Sequence, residues 1–371
     1  MIIGCPKEIK NNENRVGLTP NSVHAYAEAG HRVLVTKGAG LGSAIEDAAY
    51  VSAGAEMLSE NEEVWSKAEM IVKVKEPLEN EYALMRENQI IYTYFHFAAS
   101  ELLTKACLER KISAVAYETI SEGKSLPLLK PMSEVAGRMS IIMASYFSAK
   151  NQGGRGLLPM GVTGVAPAEV LVLGGGVVGT NAAKVAAGLG AKVVVMDINL
   201  NRLEYLGEIM PANVTPLFSD PVILEEHLRS ADIIIGAVLV PGAVAPKLIR
   251  RPQLKLLKPG AVIVDVAIDQ GGCFETSRPT THTDPTYVVD DVIHYCVANM
   301  PGAYARTSTY ALNNATIGYG LKLANQGLKQ AVKSNAPLKS GLNMHNGFIT
   351  FPGVAEAFGL EALYKDADSL F

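Results

Sequence analysis

The sequence predicts an α/β protein of two domains, one built on a doubly wound parallel sheet and the other on a discontinuous sheet of similar winding. Three observations carry this. The chain has 371 residues, more than one domain of ordinary size requires. Short runs of aliphatic and β-branched residues alternate with helix-length amphipathic stretches. Hydrophobic residues make up 48% and charged residues 19%, the balance of a chain that buries cores.

The elements follow in order. Strands read at 2–5, 32–36, 70–74, 89–95 and 112–117. Thr19-Pro20 opens the first helix, with a capping hydroxyl and a proline at the first helical position, and Gly30 closes it. Further helices read near 80–86 and 101–110. Five strands suit a flavodoxin-like sheet. A long helix over 134–150 is opened by Pro131-Met132-Ser133 and closed by Gln152-Gly153-Gly154-Arg155-Gly156. It leads to six more strands at 170–173, 192–196, 214–218, 232–237, 261–266 and 292–297. The helical pattern at 308–332 is too much chain for one more element of that series, so it returns to the first domain. The expected boundaries are 1–130 with 304–371 for one domain and 131–303 for the other.

Charge and composition exclude several classes. Lys plus Arg total 33 against 37 for Asp plus Glu, a net charge of -4, so no basic field exists to hold nucleic acid or anionic lipid. The most apolar stretch, 233–246, is interrupted by Gly236, Pro241 and Gly242 and falls short of the ~20 residues that span a bilayer. No membrane partner is expected, and with no secretory pattern at the start the expected location is cytoplasmic. Cys5, Cys107, Cys273 and Cys296 lie far apart, and the histidines lack ligand spacing, so no metal is expected.

One motif is specific. Val170-Leu171-Val172-Leu173 runs into Gly174-Gly175-Gly176-Val177-Val178-Gly179, a G-x-G-x-x-G directly after a strand, and Ala182, Val185, Ala186 and Leu189 then mark the apolar face of a helix. Gly174 permits the tight turn, Gly176 lets backbone N–H groups approach a pyrophosphate, and Gly179 lets helix and strand pack closely. Asp197 ends the next strand, 23 residues after Gly174, where a carboxylate accepts from a ribose diol and repels a 2′-phosphate. The domain is therefore expected to be of the Rossmann type, with NAD as cofactor in preference to NADP. Arg202 has three readings: an adenosine contact, a partial offset to that preference, or a solvated helix charge, the last being favoured.

In open α/β sheets ligands bind beyond the carboxyl ends of the strands. Lys75 and His96 end strands there, and Arg15 lies in the loop after the first. A solvated lysine or salt bridge explains Lys75 equally well, and Arg15 alone would more often be surface decoration. His96 suits acid/base chemistry because imidazole titrates near neutrality, although a hydrogen-bonded core histidine is the competing reading. Asp269 ends the 261–266 strand region and is expected near the nicotinamide, or else caps a turn. Asp265, in mid-strand, is expected to be structural.

Pro6-Lys7-Glu8 leading to Arg15-Val16-Gly17, Val72-Lys73-Val74-Lys75-Glu76-Pro77, Tyr94-Phe95-His96, the Gly174 fingerprint, Val264-Asp265-Val266-Ala267-Ile268-Asp269-Gln270-Gly271-Gly272, Ala298-Asn299-Met300-Pro301-Gly302 and Ala311-Leu312-Asn313-Asn314 together resemble the bacterial L-alanine dehydrogenases over essentially the whole chain. The resemblance implies that Arg15 and Lys75 bind substrate, that His96 is the acid/base and that Asp269 assists at the reacting carbon. It implies cofactor contacts at Ser133, Val178, Asp197, Arg202, Ser219, Leu239, Arg278 and the segment Ala298, Asn299 and Met300. It also implies reversible oxidation of L-alanine to pyruvate and ammonium in a cytoplasmic homohexamer. Two rivals stand beside it: the NAD(H)-binding component of a membrane transhydrogenase, and a saccharopine-type enzyme that reductively couples an amino acid to a keto acid.

Overall fold

A computed structural model describes residues 1–238 and 245–371. Six parallel strands come first: β1 (Ile2–Cys5), β2 (Arg32–Thr36), β3 (Ala55–Leu58), β4 (Met70–Val72), β5 (Ile90–Thr93) and β6 (Ser113–Ala116). They lie in the order β3-β2-β1-β4-β5-β6. Set β3 aside and the remaining order is that of a flavodoxin-like sheet; β3 extends its edge beside β2. The connecting helices are α1 (Pro20–Glu28), α2 (Asp47–Ser52), α3 (Asn61–Lys67) and α4 (Glu101–Glu109). Thr19 caps α1, accepting from Ser22 N. The helix expected near 80–86 is instead a 3₁₀ turn, Glu79–Leu84, in which the Glu81 carboxylate accepts from Leu78 N at 3.0 Å and from the Lys73 ammonium at 2.9 Å.

Helix α5 (Lys130–Phe147) then leads into a second sheet. Its strands are β7 (Glu169–Leu173), β8 (Lys192–Asp197), β9 (Val214–Phe218), β10 (Ile233–Gly236), β11 (Val262–Asp265), β12 (Thr286–Val289) and β13 (Val292–Tyr295), in the order β12-β13-β11-β10-β7-β8-β9. Six are parallel in the 3-2-1-4-5-6 order of the dinucleotide fold, and β12 pairs antiparallel with β13 at the edge. The crossovers carry α6 (Val177–Gly188), α7 (Leu200–Ile209) and α8 (Pro221–Ser230). Gly137 is required in α5 because a Cβ there would fall 2.3 Å from Val178 O, at the backbone of α6.

The chain continues through a helical run, α9 (Ala305–Ser334), broken at Gly327 where φ is +72°, then α10 (Ala336–Gly341), β14 (Leu342–His345), β15 (Phe348–Ile349) and α11 (Pro352–Phe358). β14 pairs antiparallel with β6 and completes the first sheet as β15-β14-β6-β5-β4-β1-β2-β3. Polar side chains of α9 tie this return to the early loops: Thr309 Oγ1 accepts from Val16 N, and Asn313 Oδ1 accepts from Thr19 N and Ser22 Oγ. Two compact units result, Met1–Met132 with Gly302–Phe371, and Ser133–Pro301. Each has its own apolar core, around Trp65, Ile71, Ile91 and Phe95 in the first and around Val172, Val193, Ile235 and Val264 in the second. Among the described residues no helix is long and apolar enough to cross a membrane.

Candidate active site

In the first unit, four neighbouring parallel strands, β6-β5-β4-β1, end at one edge of the sheet. The chain beyond each end carries a polar residue: Glu118 after β6, His96 after β5, Lys75 after β4 and Arg15 after β1. Two crossover connections place β1 beside β4 and β4 beside β5, so residues 60 and 81 positions beyond Arg15 share its edge. Strand β4 stops at Val72, Lys73 N still donates to Tyr92 O and Val74 O accepts from Tyr94 N, and Lys75 follows where this pairing ends.

Arg15 is buried, and Glu13 grips it side-on: Nε donates to Glu13 Oε1 at 2.7 Å and Nη2 to Oε2 at 2.6 Å. Nη1 lies 3.2 Å from Met132 Sδ. Burial works against the guanidinium charge, but the Glu13 carboxylate outweighs it and raises the Arg15 pKa further. Lys73 is wholly buried between Glu81 and Glu8, the latter 3.2 Å from its Nζ. Burial opposes the Lys73 charge too, and the two carboxylates again prevail and push its pKa up. Burial raises the Glu8 carboxyl pKa, with Lys73 pulling the other way. Glu8 Oε1 accepts from Val74 N at 2.6 Å and Lys75 N at 3.3 Å, and Thr93 Oγ1 donates to Lys75 O at 3.0 Å. Lys73 is thus the structural lysine of the motif, and Lys75 stands on a backbone fastened at both its N–H and its carbonyl.

His96 is exposed and has φ +51° and ψ +41°, the left-handed conformation that L-residues avoid. Its ring stacks on Tyr94 at 5.9 Å between centroids, and the Tyr94 hydroxyl donates to Leu128 O. The Glu118 carboxylate accepts from Phe95 N at 3.0 Å and from His96 N at 2.5 Å. Glu13 and Glu118 escaped the sequence reading, and Glu8 entered it only within the Pro6-Lys7-Glu8 motif, with no role. The strand-end rule that selected His96 would have selected Glu118, which follows its strand in the same way.

In the second unit Gly174 has φ +101°, and a Cβ there would meet Ala237 at 2.9 Å. At Gly179 a Cβ would lie 1.8 Å from Gly174 O, whereas at Gly176 it would meet nothing within 4 Å. Helix α6 has Gly176 as its N-cap and no side-chain cap, while Asn199 and Asp220 cap α7 and α8 with their own oxygens. The first-turn N–H groups of α6 are therefore left for an external acceptor, and open space lies over the residue that a phosphate would approach. These residues fit a dinucleotide.

Asp197 ends β8, its Oδ2 accepting from Gly175 N at 2.7 Å and Oδ1 from Asn199 N at 2.9 Å. A carboxylate has about four acceptor positions, so both oxygens retain capacity for ribose hydroxyls. Arg202 departs from the solvated charge favoured for it: Nε donates to Gly175 O at 2.5 Å and Nη2 to Thr180 Oγ1 at 2.6 Å, riveting α7 to the glycine turn. Ser219 follows β9, its N–H donating to Asp197 O, and Val178 is half-buried in the first turn of α6. Ser133 is half-buried in the first turns of α5. Arg278 is exposed, its guanidinium 4.1 Å over the Tyr287 ring. Ala298 N donates to Thr280 O, Asn299 has φ +60° and Met300 is buried. Leu239 lies outside the described residues. Asp269 is exposed in a 3₁₀ turn, Ile268–Gln270, after β11. Asp265 is fully buried, accepting from Ala267 N, Cys273 N and Ser277 Oγ, which anchors that turn; burial raises its carboxyl pKa despite these donors. Among the described residues no group of three or more His, Cys, Asp or Glu is placed to hold a metal ion.

Comparison with known proteins agrees with this arrangement. Residues 4–136 match the family model "Alanine dehydrogenase/PNT, N-terminal domain" and residues 140–352 match "Alanine dehydrogenase/PNT, C-terminal domain". The chain is 56% identical to a Methanococcus maripaludis protein named alanine dehydrogenase, over 97% of each. A solved structure titled L-alanine dehydrogenase superposes with a TM-score of 0.94 at 50% identity, covering 97% of this chain and 99% of that one. A transhydrogenase structure from Sinorhizobium meliloti gives 0.81 at 26% identity, covering 95% and 99%.

Proposed function

This chain belongs to the alanine dehydrogenase/PNT family, and on that premise we propose that it is an amino-acid dehydrogenase that oxidises L-alanine to pyruvate and ammonium with NAD, reversibly. The observation that carries the reading is the gathering of Arg15, Lys75 and His96 beyond the ends of three adjacent parallel strands, β1, β4 and β5. A nucleotide-binding module needs no such cationic edge. The transhydrogenase alternative is also more distant, at 26% identity against 50% for the dehydrogenase structure.

The chemistry assigned to each residue follows from its type and setting. Arg15 pairs with the substrate carboxylate by its guanidinium and fixes which face of the α-carbon is presented. An ammonium cannot release hydride from its carbon, so His96 first takes the proton that leaves a neutral amine. Nicotinamide bound in the second unit would supply the acceptor for a hydride, one proton with two electrons, leaving the α-carbon. Lys75 stabilises the negative charge that develops on oxygen as water adds to the iminium and the carbinolamine collapses. Asp269 orients that water or exchanges a proton with it. The glycine turn at Gly174, Gly176 and Gly179, with Val178 in the first turn of α6, holds the pyrophosphate, and Asp197 with Ser219 holds the adenosine ribose. Ser133, Arg202, Leu239, Arg278 and the Ala298, Asn299 and Met300 segment are the further cofactor contacts. The domain of 131–303 is the NAD-binding part and 1–130 with 304–371 the substrate-binding part. The cytoplasmic location and the homohexamer belong to the same proposal.

Purified protein with NADH, pyruvate and ammonium tests this by loss of the NADH absorbance. Turnover with no second protein present is expected, NADPH serving poorly. Turnover that requires lysine as the amine donor would instead favour the saccharopine-type reaction, and no turnover without a membrane partner would favour the transhydrogenase reading.

A further inference from the structure

His96 holds a backbone conformation that L-residues avoid, so something nearby must outweigh the preference for negative φ. The groups around it are few. Tyr94 stacks on the ring, Ala99 N donates to His96 O, and Glu118 reaches across from the end of β6 to accept from two consecutive peptide N–H groups, Phe95 and His96. Glu118 is half-buried and begins one residue past Tyr117, itself packed edge-on against Tyr92 and Tyr94. The carboxylate is therefore delivered from a rigid aromatic layer. A carboxylate accepting from peptide N–H groups makes a charge-assisted bond, stronger than one to a neutral acceptor.

We infer that Glu118 is a positioning residue for the reaction: by holding the amides of Phe95 and His96 it fixes the left-handed turn that presents the His96 ring. The inference rests on the reading of His96 as acid/base. Glu118 acts in this role through the peptide N–H groups it holds and not on the substrate. Releasing the two N–H groups lets residue 96 relax toward negative φ, which swings the ring away from the place where it must meet the amine.

The experiment is a double-substitution cycle on kcat, with NADH-binding stoichiometry used to count folded sites. Glu118→Gln keeps one carbonyl acceptor and Glu118→Ala keeps none, so kcat per site is expected to fall about tenfold in the first and further in the second, with the NADH dissociation constant unchanged. His96→Ala is expected to lose most turnover, and adding Glu118→Gln to it should change little. Equal losses from Glu118→Gln in the parent and in the His96→Ala background would overturn the inference, since Glu118 would then act independently of His96. So would parent turnover in Glu118→Gln alongside an inactive His96→Ala protein. Parent turnover in His96→Ala would overturn the acid/base reading itself and this inference with it. A loss confined to thermal stability, with kcat per bound NADH intact, would assign Glu118 a purely structural part and also overturn it.

Discussion

Two glycines of one turn separate folding from cofactor binding. A Cβ built on Gly179 stands 1.8 Å from Gly174 O and 3.0 Å from Val172 Cγ1, so Gly179→Ala forces helix α6 away from the turn it packs against. Overpacking of a core costs ~1 to 3 kcal/mol. The obstructing atom here is backbone on a strand-to-turn junction, which cannot rotate aside, so the upper end applies. At ~3 kcal/mol, a domain of this size should lose roughly 6 to 12 °C in Tm. Gly176→Ala is the opposite case. Its φ of -64° and ψ of -161° are open to alanine, and its Cβ meets no atom within 4 Å. Stability should hold or rise by about 0.4 to 1 kcal/mol through a less disordered unfolded chain. The new methyl nevertheless occupies the space that a pyrophosphate needs, and a loss of about 1.4 kcal/mol, tenfold in Kd for NADH, is the least expected. Thermal unfolding and NADH fluorescence titration on both variants check this. A Gly176→Ala protein that binds NADH as the parent does, or a Gly179→Ala protein that melts with the parent, would refute the assignment of roles to the turn.

Asp197→Ala should weaken NADH binding and narrow the preference for NADH over NADPH, because it removes both a ribose acceptor and a charge that repels a 2′-phosphate; dissociation constants for the two cofactors measured side by side decide it, and an unchanged ratio counts against the assignment. Lys73→Ala strands the Glu8 and Glu81 carboxylates in the first core at a cost of about 3 to 5 kcal/mol, visible as a lowered Tm. Lys75→Ala should instead lose turnover and weaken pyruvate binding at a smaller cost in stability, and a reversal of these two phenotypes would exchange the roles given to the lysines.

The dinucleotide fold was legible because its signal is local. Strand, glycine turn, helix and acidic strand end all fall within a single βαβ unit, and each residue type answers a constraint set by its immediate neighbours. Strand β3 was missed because Ala55-Glu56-Met57-Leu58 is short and bears only two buried side chains, at its ends, so no clean alternation marks it. Strand β14 was missed because its partner, β6, lies more than 200 residues earlier, and no local pattern encodes that pairing. The candidate site divides along the same line. Arg15, Lys75 and His96 could be picked out as strand-end residues, whereas Glu13 drew no reading and Glu8 entered only as a letter of a motif, since a glutamate in a polar loop carries no local mark of burial. Their burial depends on partners brought in by the crossover order, which also places the Lys73 ammonium between Glu8 and Glu81.

Each of the three candidate functional side chains has one carboxylate that fixes it, and the manner of attachment differs with the chemistry. Glu8 holds Lys75 and Glu118 holds His96 through peptide N–H groups. Glu13 grips Arg15 through the guanidinium itself. That contact raises a pKa already far above working pH, so it changes orientation and leaves the charge state as it was. On the role proposed for it, an arginine that needs only to stay cationic keeps its function under a direct carboxylate grip. Peptide N–H groups held at Lys75 and His96, and a guanidinium held by its fork at Arg15, limit how far each proposed site residue can move, and the grip on Arg15 does so without removing its charge.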